Sequence, residues 1–470
     1  MKKPNLLFVF ADQWRRDAMG FMGKDEVITP NIDKFSEEAL NFDNAMSACP
    51  LCSPNRATMF TGTHPVTHGV WTNCKPGLPN VGLRETDITL MDVLKDNGYK
   101  IGYIGKWHLD AAEVNFDPEP VSGARNWDAF TPPGKKRHGV DFWYSYGTYD
   151  QHLKPHYWHD DNKMIQIDQW SVEHETDKAI EFINNNKDEA FSLILSWNPP
   201  HTPLDLVPQK YVDMYEGRKF KVNPNVLLTE VTDHTESVNP RLNFTDEEYQ
   251  ENIMKKYFAA VTGIDENFGR LIQNLKDNGI YDDTIIVLTA DHGEMLCAHR
   301  LWSKHVWFEE STGIPFLIKY GDRFVKGRTD VVLNGVDIMP TLLSLMGLPI
   351  PESVQGIDLK EVIINGSDVE NYAIMTGYPG QMRAIEEFQA HGKENVAYGW
   401  RAIRTKRYTY AINRGYTMAH GIERLLYDNI NDPYQMNPIR LNDCSENEVA
   451  KELEGKLREW AEKYHDKFEF

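Results

Sequence analysis

The chain has 470 residues, 41% of them hydrophobic and 26% charged, and a formal net charge of −20. That charge argues against nucleic acid as the main partner, since such proteins carry a basic face, and a polyanionic substrate would need a basic pocket set against the global field. No apolar run approaches the ~20 residues of a membrane-spanning helix, so no membrane partner is expected.

The opening Met-Lys-Lys-Pro-Asn-Leu-Leu-Phe-Val-Phe lacks the ~7–15-residue apolar core and the cleavage site of a signal peptide. The five cysteines (Cys49, Cys52, Cys74, Cys297, Cys444) form no disulfide framework in a chain this size. Both readings predict a cytoplasmic protein.

Leu6 to Phe10 reads as a buried strand ending at Ala11-Asp12-Gln13. Thr29 to Leu40 reads as a capped helix with Pro30 in its first turn. In Cys49-Pro-Leu-Cys-Ser-Pro-Asn-Arg-Ala-Thr-Met-Phe-Thr-Gly62, Pro54 biases Ser53 away from helix, and nothing breaks a helix between Asn55 and Gly62. Cys52 is thus predicted at a helix mouth, where free N–H groups and the dipole favour an anion. Arg56 adds a fixed positive charge one turn in.

Leu90 to Asn97 reads as a helix stopped by Gly98, and Tyr99 to Ile104 as a strand followed by Gly105-Lys-Trp-His108. Residues 111–170 read as an irregular, aromatic-rich functional stretch. Val172 to Asn185 is predicted helical, and Phe191 to Trp197 is predicted as a strand leading to Asn198-Pro-Pro-His201. Thr245-Asp-Glu-Glu248 is a capping box opening a long helix with a stripe from Ile253 to Leu275. Thr284 to Ala290 is the most apolar strand and ends at Asp291-His-Gly-Glu294. A strand over Pro315–Ile318 and a helix over Asp337–Met346 follow. Beyond about residue 371, short strands (Trp400–Thr405, Tyr408–Ile412) alternate with turns. A last helix is predicted to start at a capping box, Ser445-Glu-Asn-Glu448.

The pattern predicts an α/β fold: a large, mixed, mostly parallel sheet flanked by helices over residues 1–370, then a smaller α+β subdomain over 371–470 with a short antiparallel sheet and a terminal helix. Parallel strands deliver their carboxyl ends to one edge, so the tails at Asp12-Gln13, Lys106-Trp-His108, His201 and Asp291-His292 converge. Two carboxylates, an amide oxygen and an imidazole suit an oxygen-rich divalent metal site. Cys49 and Cys52 also have redox-pair spacing, but that reading needs a thioredoxin-like βαβ context.

Cys52-Ser-Pro-Asn-Arg56 with Thr61-Gly62 resembles the Cys-x-Pro-x-Arg signature of type I sulfatases, members of the alkaline-phosphatase-like superfamily. Gly98 to His108 resembles the second sulfatase signature, departing at Ile101, where Ser or Thr is usual. Pro4 to Asp12, Pro200-His-Thr-Pro203, Asp291-His-Gly293, Lys304 to Glu309, Val336 to Thr341 and Leu426 to Pro433 extend the likeness nearly end to end.

The resemblance implies that a formylglycine-generating maturation enzyme oxidises Cys52 to Cα-formylglycine. It also implies that Asp12, Gln13, Asp291 and His292, with Cys52, hold a metal, Ca²⁺ in most relatives. Gln13 and His292 replace the more common Asp and Asn. They remove one negative charge and add a nitrogen ligand, which leaves Mg²⁺ or Mn²⁺ open. By the same resemblance Lys106 and Lys304 clamp the sulfate, Arg56 holds the formylglycine, and His201 protonates the departing alcohol. His108 takes the hydroxyl proton that expels sulfate. Lys304 is preferred to His305 for the clamp because Phe308 and Glu309 fall at the family's spacing.

Aromatic and polar residues at 138–160 look like a substrate wall, with His152, His156 and Trp158 as candidates; Tyr378, Arg383 and Trp400 would close the pocket. A small sulfated carbohydrate is the expected substrate. A phosphonate monoester or phosphodiester hydrolase on the same scaffold, and a catalytically dead binding protein, remain as alternatives.

Overall fold

The computed structural model describes residues 3–233, 241–321 and 324–470; Met1 and Lys2, part of the leader reading above, lie outside the described residues. Eight strands build the main sheet: β1 (Asn5–Asp12), β2 (Leu40–Met46), β3 (Lys100–Lys106), β4 (Phe142–Tyr146), β5 (Phe191–Pro200), β6 (Thr284–Ala290), β7 (Phe316–Tyr320) and β8 (Gly327–Asn334). Their order is β8-β2-β7-β6-β1-β5-β3-β4. Only β7 pairs antiparallel to its neighbours; the other pairings are parallel.

The centre is β1 between β5 and β6, with Phe8 opposite Ile194 on one side and Val287 on the other. All three strands are buried along their whole length. That is why they read as unbroken apolar runs: a parallel strand covered by helices on both faces needs no polar side. Each fully buried Leu, Ile, Val or Phe contributes about 1.5–3 kcal/mol, and this central packing gives the strand ends a rigid base.

The helices that matter for the site are α1 (Pro30–Ser36), α2 (Cys52–Thr61), α3 (Leu90–Asp96), α4 (Ser171–Asn186) and α5 (Lys255–Asp277). Every residue of α2 is buried, its N-cap Leu51 is extended, and Gly62 closes it at φ 64°. That left-handed φ carries no Cβ penalty in glycine. The predicted box at Thr245 is present: its hydroxyl accepts from the Glu248 N–H, and the Glu248 carboxylate accepts from the Thr245 N–H at 2.8 Å. The helix it opens passes through a π-turn over Tyr249–Met254 before α5 begins.

Five strands, β9 (Ala373–Gly377), β10 (Trp400–Arg404), β11 (Tyr408–Asn413), β12 (Glu423–Asp428) and β13 (Ile439–Leu441), form a separate antiparallel sheet. The terminal helix α6 (Glu448–Tyr464) packs Leu453, Leu457 and Trp460 into one cluster with Ile403 and Tyr410 of that sheet. Its cap differs from the expectation. Asn447, not Ser445, accepts from the Val449 and Ala450 N–H groups, because Cys444–Glu446 forms a separate 3-10 turn capped by Asp443. Glu309 ties the two sheets together, pairing with Arg16 at 2.8 Å and with Arg404 of β10 at 2.7 Å.

Candidate active site

The carboxyl ends of β1, β3, β5 and β6 meet the N-terminus of α2. Asp12 ends β1, Asp291 and His292 follow β6, and Cys52 opens α2. Each of these four buried residues offers a ligand atom within 4.8 Å of the others. Cys52 Sγ lies 3.3 Å from His292 Nε2 and 3.5 Å from Asp12 Oδ1.

Arg56, one turn into α2, is the bracket behind this cluster. Its Nε donates to Asp291 Oδ2 at 2.9 Å, and Nη2 donates to Asp12 Oδ2 at 3.0 Å. Nη1 donates to the Lys106 carbonyl and to Ser196 Oγ, both at 2.7 Å. One guanidinium thereby joins the ends of β1, β3 and β6 to the middle of β5, a use that needs its planar fork of donors.

Lys106 Nζ lies 2.7 Å from Asp12 Oδ2 and donates to Asn198 Oδ1 at 3.1 Å. Burial alone would raise the Asp12 pKa, but the Lys106 charge, with the His292 hydrogen bond and Arg56, outweighs it and holds the carboxyl well below the usual range. Burial likewise favours a neutral His292, yet Asp291 and Cys52 push its ring up to about 10. A buried pocket that drives an imidazole to take a proton is short of positive charge. Two carboxylates and a nitrogen donor there fit a divalent cation.

Lys304 Nζ donates to Gln13 Oε1 and, at 3.0 Å, to His201 Nε2. The Nδ1 of His201 donates to the Thr202 carbonyl at 2.7 Å, which leaves Nε2 as the lone-pair nitrogen. Burial and the Lys304 charge push this ring down to about 3. His108 Nε2 donates to the Cys74 carbonyl at 3.1 Å, while Nδ1 meets no partner among the described residues. Burial, Lys106 and Arg56 hold His108 well below the ordinary histidine value, so Nδ1 is a neutral acceptor.

Above the cluster opens a cavity of about 500 Å³. Cys52, Lys106, His108, His201 and Lys304 lie at its base, with Lys75, Trp127, Asp150 and Gln151 on its walls.

A family model described as Sulfatase matches residues 4–348. The chain belongs to the sulfatase family, within the alkaline-phosphatase-like superfamily. A second family model, N-sulphoglucosamine sulphohydrolase, C-terminal, matches residues 297–463 of this sulfatase. An endo-4-O-sulfatase of Bacteroides thetaiotaomicron is 33% identical, the match spanning 94% of this chain and 89% of the relative. An ulvan-active sulfatase of Formosa agariphila is also 33% identical over 99% of this chain and 82% of its own. A Bacteroides thetaiotaomicron structure, solved in work on its metabolism of multiple glycosaminoglycans, superposes with a TM-score of 0.85. It is 32% identical, and the match covers 99% of this chain and 97% of that one.

In this sulfatase the structure brings together Asp12, Gln13, Cys52, Arg56, Lys106, His108, His201, Asp291, His292 and Lys304. The expected wall residues lie elsewhere. His152 is buried and donates from Nε2 to the His201 carbonyl at 2.9 Å. His156 pairs with buried Asp128 at 2.6 Å, and Trp158 donates to the Ser122 carbonyl from the core. Tyr378 is buried with Cys49 and Leu51, its ring 4.2 Å from the Arg401 guanidinium carbon. Arg383 is exposed on a short helix, and Trp400 donates to the His305 carbonyl.

Large aromatic surfaces gain most from complete burial, and Trp158, Tyr378 and Trp400 are buried behind the cavity. Their neighbours Thr148–Gln151 and Gly380–Gln381 face it. Asp128 also accepts from the Thr148 N–H at 3.1 Å, which fixes that wall. Trp127 and Lys75, overlooked in the sequence, form a pair on the wall, with the ammonium 5.3 Å from the ring centre.

Among the described residues no helix is long and apolar enough to cross a membrane.

Proposed function

We propose that this sulfatase hydrolyses sulfate monoesters of small acidic carbohydrates. In this reading a maturation enzyme converts Cys52 to Cα-formylglycine, and Asp12, Gln13, Asp291 and His292 hold a divalent cation, Ca²⁺ by family habit. The observation that carries it is the buried Asp12–Cys52–Asp291–His292 cluster, flanked by Lys106 and Lys304 at the base of a sugar-sized cavity. The relatives named for glycan substrates support the carbohydrate; Trp127 and Lys75 add a flat face and a cation on the wall.

When bound, the cation polarises oxygens in its reach, and an aldehyde hydrate supplies an oxygen nucleophile on a carbon that later releases sulfate by C–O cleavage. The rest is the work of the chain's own residues. Sulfate ester hydrolysis needs on the order of 20 kcal/mol of barrier removed. Positioning supplies about 7–11 kcal/mol, and each well-placed donor about 3–4 kcal/mol. Lys106 and Lys304 are such donors, already held in place by Asn198 and Gln13. Arg56 keeps Asp12 and Asp291 aimed at Cys52. His108 Nδ1 is the acceptor for the last hydroxyl proton.

The role of His201 is refined by its hydrogen bonds. With its ring neutral and Nε2 accepting from Lys304, the proton for the leaving oxygen is held by the Lys304–His201 pair. Replacing His201 with alanine should therefore cost about 10²–10⁴-fold in kcat on a sugar sulfate, which needs protonation on departure. It should cost far less on 4-nitrophenyl sulfate, whose leaving group needs no proton. Equal losses on both substrates would contradict the assignment.

The competing reading is a phosphonate monoester or phosphodiester hydrolase on the same scaffold. Sulfate release from a sulfated uronate–hexosamine disaccharide should exceed turnover of an aryl phosphonate or phosphodiester by about 10²-fold or more in kcat/KM. The reverse order would transfer the assignment to the second class.

A further inference from the structure

Glu294 takes no part in the chemistry above, yet it is 1% exposed and lies where two parts of the site meet. Its Oε1 accepts from the Leu296 and Ser303 N–H groups, both at 2.9 Å. Its Oε2 accepts from Gln13 Nε2. Gln13 Oε1 in turn accepts from Lys304. The segment that carries Lys304 is backbone-strained: Leu296, Cys297, His299, Arg300, Ser303 and His305 all have positive φ. Backbone conformations of that kind persist only where the surroundings over-determine them.

A carboxamide has two nearly isosteric ends, and only its partners decide which faces where. Lys304 has hydrogens only to give, so oxygen must face it. A carboxylate has only lone pairs to give, so the amide NH₂ must face Glu294. We propose that Glu294 is a positioning residue that sets the orientation of the Gln13 carboxamide. It holds Oε1 toward Lys304 and the cation site, and it pins the Lys304 segment through the Ser303 N–H. Turned over, Gln13 would present NH₂ to two cations and repel both. The inference rests on the reading of Gln13 as part of a cation site.

The test is Glu294→Gln in the full chain. The new side chain keeps an oxygen for the Leu296 and Ser303 N–H groups, so the fold is retained. Its NH₂ now faces Gln13, which must offer its own oxygen there and turn NH₂ to the cation. Calcium binding followed by titration calorimetry should weaken about 10–100-fold, while the unfolding midpoint in chelator stays close to that of the parent. Adding Gln13→Glu to the same chain restores an oxygen on both sides of the new amide. Calcium affinity should then recover most of the loss, and the gain should exceed what Gln13→Glu alone gives in the parent, the signature of direct coupling between the two positions.

Calcium binding by Glu294→Gln equal to that of the parent would overturn the inference alone. So would a loss that Gln13→Glu fails to recover, which would leave Glu294 a packing residue. A parent protein that binds neither Ca²⁺, Mg²⁺ nor Mn²⁺ would instead overturn the cation site itself, and the inference with it.

Discussion

Cys52→Ala lowers kcat by about 10⁴-fold or more and leaves the fold intact. The two halves of that expectation come from the same geometry. Among the described residues, Cys52 Sγ is within hydrogen-bond reach of His292 and Asp12, at 3.3 and 3.5 Å. Removing one sulfur atom from a polar cluster with its own network costs about 1 kcal/mol, the typical size for a point change. The chemistry loses more, because Arg56 and the proposed cation occupy Asp12, Asp291 and His292, which leaves Cys52 to supply the nucleophile. Lys106, Lys304, His108 and His201 would still bind and polarise a sulfate, so a weak residual rate and a nearly unchanged KM are expected. Steady-state kinetics on a sulfated disaccharide, with a denaturant melt on the same sample, separates the two effects. Turnover within tenfold of the parent would remove Cys52 from the reaction.

Arg56→Ala has the largest expected effect on stability, about 3–5 kcal/mol. The guanidinium is fully buried and holds four acceptors on or just past four different strands. Asp12 keeps Lys106 as a partner at 2.7 Å. Asp291 keeps the backbone N–H donors of Gln13 and His292 and the His292 ring at 3.6 Å, a weaker partner than the guanidinium it loses. Such a loss is large against a typical total of ~5–15 kcal/mol. Arg56→Lys should recover less than half, since a point charge on a flexible stem cannot reach all four acceptors. A divalent cation on the same two carboxylates offsets part of the loss, so the defect should be deeper in chelator than in calcium. Urea unfolding in both buffers checks this, and a change below about 1 kcal/mol in chelator would mean that the bracket is energetically idle.

Much of the site was legible because chemistry and fold used the same signal. Leu6 to Phe10, Phe191 to Trp197 and Thr284 to Ala290 are apolar on both faces, so each polar residue at their ends stood out and shared one edge. The strands that escaped detection break this rule. In β2, Leu-Asn-Phe-Asp-Asn-Ala-Met mixes polar and apolar residues next to a predicted helix. β8 starts exposed at the sheet edge, and β4 hides among aromatic loops. Within the expected wall at 138–160 the cavity is lined by Thr148 to Gln151. His156 and Trp158 were chosen for their aromatic faces, yet those faces gain more from the core. Thr148, Asp150 and Gln151 beside them, with the Tyr149 ring, line the cavity instead. Nor did composition show the proton sharing of Lys304 and His201, which are 103 positions apart in the sequence.

The central claim is that Cys52 works only after conversion. It is tested most directly by measuring sulfate release from a sulfated uronate–hexosamine disaccharide against the mass of the Cys52 peptide. Preparations made with and without the maturation enzyme supply the range. Conversion makes that peptide about 18 Da lighter, the exchange of a thiol for an aldehyde. The rate should rise in proportion to the converted fraction and vanish at zero conversion. Full activity in a preparation whose Cys52 is an intact thiol would contradict the account.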